Sequence, residues 1–121
     1  MAVQTYRDLL VWQKAMDLVV ALYEVTRKFP KEELYGLTNQ LRRAVVSVPS
    51  NVAEGQGRGN GDGFAYFLRI AMGSLQETQT QLILSHRLAY LRPDELDVLD
   101  ERIEELGRLI RGLQKSLSPQ C

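Results

Sequence analysis

Residues 47–58 read Ser-Val-Pro-Ser-Asn-Val-Ala-Glu-Gly-Gln-Gly-Arg, and the reading of this stretch decides the second helix of the chain. Helical periodicity runs on both sides of Pro49, from Leu37 through Ala53. A proline there removes one backbone donor and crowds the carbonyl four residues back, on Val45, at a cost of about 3 kcal/mol when unsupported. The hydroxyls of Ser47 and Ser50 are placed to pair with freed carbonyls. At about 100° per residue, Arg43, Ser47, Ser50, Asn51, Glu54 and Arg58 fall on one polar stripe. Leu37, Leu41, Val45, Val48 and Val52 cluster opposite. The expected helix therefore runs over about 37–54, with its polar stripe turned from the subunit core toward a neighbouring subunit or the start of the third helix. In this reading Arg43, Ser47, Pro49, Asn51, Glu54 and Arg58 form a structural or interface motif. Removing the Glu54 carboxylate should then cost about 1 to 3 kcal/mol by leaving paired groups unsatisfied.

Glycine follows at every second position from Gly55 to Gly63, which reads as a flexible connection because each glycine costs a helix about 1 kcal/mol relative to alanine. The spacing matches neither phosphate-binding glycine pattern, and no strand precedes it. Beyond it, Phe64, Phe67, Leu68, Ala71, Leu75 and Leu82 share one face of a third helix over about 63–91, with His86 at the edge of that face.

Before the proline stretch, a first helix spans about 6–28. One apolar row holds Val11, Ala15, Leu18, Leu22 and Val25; a second holds Leu9, Trp12, Met16, Val19 and Tyr23. A bundle helix needs one apolar stripe about 100° wide, so the second row, with Trp12 in it, points to an interface between subunits or to unusually deep burial. Phe29-Pro30 ends that helix. After Arg92-Pro93, Leu96, Leu99, Ile103, Leu106, Ile110, Leu113 and Leu117 step by threes and fours through a fourth helix over 93–117. Its acidic first half and basic end match the order the helix dipole favours. A frayed tail is expected at 118–121. Four helices with short connections make one all-α domain, an antiparallel up-down-up-down four-helix bundle spanning 1–121.

The 121 residues carry zero formal net charge and a pI of about 6.6, which removes the simplest case for a nucleic-acid or anionic-membrane partner. The one cysteine, Cys121, can form no internal disulfide or cysteine metal cluster. No signal peptide or membrane span is read, and the expected location is the cytoplasm. His86 has neither a second histidine nor a nearby cysteine, and is read as a packing residue. Glu54 beside Arg43 and Arg58 is read as ion-paired rather than as a base. No catalytic residue, metal, cofactor or small-molecule substrate is expected. The candidates for nucleic-acid contact are Arg42, Arg87, Arg92, Arg108, Arg111 and Lys115, with Arg43 and Arg58 beside them. They are dispersed in one subunit but repeated by symmetry in an oligomer.

The runs Asp8–Ala15 (DLLVWQKA), Phe29–Thr38 (FPKEELYGLT), Gln40–Ala44 (QLRRA), Ser47–Gly55 (SVPSNVAEG) and Phe67–Thr78 (FLRIAMGSLQET) resemble, in this order, the four-helix-bundle family of 23S ribosomal RNA intervening-sequence proteins. Relatives of that family include the accessory protein of diversity-generating retroelements. The resemblance covers nearly the whole chain. It implies a homopentameric barrel of four-helix protomers with no established activity, and, from the basic retroelement relatives, binding of nucleic acid and a reverse transcriptase. Two functions are carried forward: a homo-oligomeric scaffold or adaptor that engages a protein or RNA partner, and a nucleic-acid-binding accessory protein.

Overall fold

The computed structural model describes residues 5–59 and 62–117. Four helices account for most of them: α1 (Leu10–Thr26), α2 (Leu37–Gly57), α3 (Asp62–Arg87) and α4 (Pro93–Leu117). Each helix packs on its chain neighbours and α1 closes on α4, while the diagonal pairs stay apart. Side-chain pairs fix the directions. Ser47 meets Ser74 and Gln40 meets Gln81 between α2 and α3. Lys28 meets Glu95 and Lys14 meets Glu105 between α1 and α4, and Gln79 meets Asp100 and Glu104 between α3 and α4. As the residue number rises along one helix its partner's number falls on the other, from Gln40–Gln81 to Ser47–Ser74, from Lys14–Glu105 to Lys28–Glu95 and from Leu75–Gly107 to Gln79–Asp100, so these neighbours run antiparallel. No strand occurs among the described residues.

The core is the set of rows expected from periodicity. Leu18, Leu22, Leu41, Val45, Val48, Val52, Leu68, Leu75, Leu82, Leu106 and Ile110 are fully buried, each contributing about 1.5 to 3 kcal/mol relative to exposure. The leucine and isoleucine row of α4 supplies Leu99, Ile103, Leu106 and Ile110, and half-buries Leu96 and Leu113.

The boundaries differ most from the sequence reading at three places. Residues Tyr6–Asp8 form a separate 3₁₀ turn, held by Arg7 N–H donating to Thr5 Oγ1 at 3.2 Å and Thr5 N–H donating to Asp8 Oδ2 at 3.1 Å. Leu9 is extended, so α1 begins four residues later than expected. The second helix does not stop at Glu54 but runs on through Gly55 to Gly57. The third ends at Arg87 instead of Leu91. There Ala89 takes φ of 66°, while Tyr90 N–H reaches Ser85 O and Ala89 N–H reaches His86 O, both at 2.9 Å. This is a Schellman ending with alanine in the place glycine usually takes, at a cost of about 1–2 kcal/mol for the left-handed conformation. The tail at 118–121 and the loop residues 60–61 lie outside the described residues.

Gly55 continues the helix because α3 comes too close to admit a side chain. A Cβ there would sit 2.8 Å from Phe67 Cβ and 3.0 Å from Phe64 Cδ1. The loss of helix propensity is offset by this close packing of α2 on the Phe64 ring and the Phe67 Cβ. Gly55→Ala should therefore lose about 1–3 kcal/mol of stability despite alanine's better helix propensity. Urea unfolding checks this, and an unchanged or raised midpoint would contradict it.

At the opposite end, Glu95 lies between the Lys28 ammonium and the backbone N–H of Arg92, which donates to Glu95 Oε1 at 3.0 Å. The Lys28 contact first, then the Arg92 N–H, holds the Glu95 carboxyl below its usual range. A carboxyl lowered in the folded state contributes stability that is present above its unfolded pKa and lost as pH falls through the folded one. Glu95→Gln should be less stable than the wild type at pH 7 and converge with it below about pH 4. Urea midpoints at pH 7, 5 and 3 test this; a constant gap across that range would exclude the linkage.

Candidate functional site

The polar stripe of α2 does not stay together in the fold. Ser47 Oγ lies 2.8 Å from Ser74 Oγ on α3, and the Asn51 amide donates to Ser47 O at 2.7 Å and Ser47 Oγ at 2.8 Å. The Ser47 hydroxyl is thus committed to the α2–α3 seam rather than to a carbonyl freed by Pro49. Pro49 itself is buried within a continuous helix, and Ser50 is exposed. Of the two directions expected for the stripe, Ser47 and Asn51 take the one toward the third helix, where Ser47 meets Ser74 at mid-helix rather than at the start.

Glu54 and Arg58 form the other half of the stripe. Arg58 donates to Glu54 Oε2 from Nη2 at 2.9 Å and from Nε at 3.2 Å, and its guanidinium lies 5.2 Å from the centre of the Phe67 ring. Both side chains are about half exposed. An exposed pair at this spacing contributes roughly 0.3–0.5 kcal/mol, so the larger loss expected for Glu54→Ala within one subunit is corrected downward. Arg43 is exposed and takes no part in this pair.

The residues considered for nucleic-acid contact are scattered. Arg42 is half-buried, donating from Nε to Thr26 Oγ1 at 2.9 Å with its guanidinium 4.6 Å from the Tyr23 ring centre, so it ties α2 to the end of α1. Arg92 is exposed and forks onto Asp94, at 3.1 and 3.2 Å. Arg87 lies at the end of α3, and Arg108, Arg111 and Lys115 are exposed along α4. The Arg111 guanidinium rests beside Gly107 at 3.5 Å from where a Cβ would be.

No group of three or more His, Cys, Asp or Glu side chains among the described residues could hold a metal ion. His86 is half-buried near the end of α3. No helix among the described residues is long and apolar enough to cross a membrane. An open groove of about 470 Å³ lies between α1 and α4, with Asp17, Glu24, Arg102 and Val20 on its walls. Lys14 and Glu105 also line it and pair with each other at 3.5 Å, so it carries charges of both signs.

The bundle covers the second apolar row of α1 only in part, as it does other apolar side chains such as Tyr35, Tyr66 and Leu88. Trp12 and Val19 are half-buried, while Met16 is 40% and Tyr23 37% exposed. Val20 at 57% and Val46 of α2 at 38% lie on the outer faces of the same two helices. Tyr6 stacks edge-on against Trp12 with ring centres 5.2 Å apart, extending the surface to the 3₁₀ turn. The α1 row was legible in the sequence. Val46 was not singled out there, because its wheel position flanks the core row of α2.

The fold is shared with a crystal structure of a protein of unknown function from the S23 ribosomal protein family of Bacteroides thetaiotaomicron. The two chains superpose with a TM-score of 0.81 at 20% sequence identity, over 88% of this chain and 96% of that one. No protein of curated function matches the chain in sequence. The family profile described as 23S rRNA-intervening sequence protein matches residues 7–112, a span running from the 3₁₀ turn before α1 almost to the end of α4. By that match the chain belongs to the 23S rRNA-intervening sequence protein family.

Proposed function

We propose that the chain is a non-enzymatic, homo-oligomeric scaffold or adaptor of the cytoplasm, built as a ring of five copies as the family resemblance implies. The observation that carries this reading is the partly covered row on α1. Met16, Val20 and Tyr23 are too exposed to serve the core of one subunit and lie in a continuous strip with half-buried Trp12 and Val19. Contiguous apolar surface of this kind marks a contact with another molecule. In a symmetric assembly the same row is covered in every copy.

The nucleic-acid reading, which rests on the likeness to the retroelement accessory protein, has less support. The chain has no net positive charge, Arg42 is turned onto Tyr23 and Thr26, and Arg92 is neutralised by Asp94. Arg87, Arg108, Arg111 and Lys115 remain exposed, and only their repetition in a ring would make them a phosphate-binding surface.

Light scattering at micromolar concentration should give a mass several times the 13.8 kDa of one chain. Met16→Glu, which places a charge in the row at an exposed position, should lower that mass while leaving the helical circular dichroism unchanged. A monomeric wild type, or a Met16→Glu variant of unchanged mass, would overturn the reading.

A further inference from the structure

The outer face of α4 carries a second unpartnered seam, separate from the α1 row. Asp94, Val98, Glu101, Glu105, Arg108, Gly112 and Lys115 follow one another at alternating steps of four and three, the spacing that keeps residues on one face of a helix. Apart from half-buried Glu105, all are exposed, Val98 at 53%. Glu105 is held by Lys14 of α1 at 3.5 Å, and Asp94 by Arg92. Among the described residues Glu101, Arg108 and Lys115 make no ion pair. Glu101 and Arg108 are two turns apart, about 10 Å along the axis, too far to satisfy each other. Among the described residues a Cβ added at Gly112 would meet nothing within 4 Å, so none of them requires glycine there, although glycine costs a helix interior about 1 kcal/mol.

The helix dipole acts most strongly on charges in the first and last turns, whereas Glu101 and Arg108 lie exposed in the middle of α4. The pattern is, however, its own complement under a two-fold rotation. Turned end for end about a point between Glu104 and Glu105, the seam places Glu101 against Arg108, Asp94 against Lys115, and the exposed Val98 beside the open position at Gly112. Glu105 comes closest to the axis, where Lys14 already offsets its charge.

We propose that α4 is a docking surface for a second copy of this chain, set antiparallel across a two-fold axis near Glu105, with Glu101 and Arg108 exchanging partners between copies. An isologous contact of this kind uses the same patch on both copies, and opposite charges across it fix the register. It does not depend on the α1 row and would add to any ring formed through it.

The test is charge reversal read by light scattering at low salt. Glu101→Arg and Arg108→Glu should each halve the mass of the wild type, because each variant sets like charges opposite one another twice. The double variant, and an equimolar mixture of the two single variants, should each restore the full mass. Recovery in the mixture separates loss of docking from failure to fold. Mass unaffected by either reversal, or lost without recovery in both the mixture and the double variant, would overturn the proposal, including the case in which α4 meets a different protein. The behaviour of Met16→Glu reports on the α1 row alone, so the two contacts succeed or fail separately.

Discussion

The close approach of α2 to α3 is the constraint on which the rest of the bundle depends. At Gly55 the space of a side chain is taken by the Phe64 ring and the Phe67 Cβ. Further along the seam Ser47 and Ser74 share a hydrogen bond, and beyond them Gln81 reaches Gln40 and Glu77. Small and polar groups thus line the contact where ordinary aliphatic packing would hold the helices further apart. The seam has a cost: Gln81 Oε1 is buried without a hydrogen-bond partner among the described residues, the kind of group whose desolvation costs about 1–3 kcal/mol. With α2 and α3 fixed in register, the short turns at either end place α1 and α4 against the remaining core surface.

That arrangement explains the odd position of Pro49. A proline in a helix loses one backbone hydrogen bond, and here it is buried within a continuous helix packed on α3. The stretch of residues 47–58 is therefore mostly internal architecture. Ser47 and Asn51 lie at the α3 seam, Gly55 sets the helix separation, and Ser50, Glu54, Gly57 and Arg58 are exposed. The part of the surface with unmet chemistry lies on α1 and α4.

Much of the fold was legible because four apolar rows repeat at helical spacing, the α4 row without a fault from Leu96 to Leu117. What escaped the sequence has physical causes. Gly55 read as the first residue of a loop since propensity counts a glycine against a helix, while the reward for its missing Cβ lies on Phe64 and Phe67 of another helix. Ala89 gave no sign of its left-handed backbone, because alanine is a good helix former. The wheel placed Ser47 and Asn51 on the polar side correctly, but an angle on one helix does not say where the neighbouring helix sits. In the same way, the wide face of α1 was visible as an apolar row, whereas its exposure to solvent in the single chain is a property of the packed bundle.

The central claim is that this α1 row is a covered contact in the working assembly. Methionine oxidation tests it most directly, since Met16 is 40% exposed in the single chain and Met72 lies half-buried against the core. At concentrations where the assembly is intact, brief treatment with peroxide and peptide mass spectrometry should find Met16 protected, and dilution below the dissociation range should make it reactive. Met16 oxidised as fast at high concentration as at low would show the row open to solvent and contradict the account.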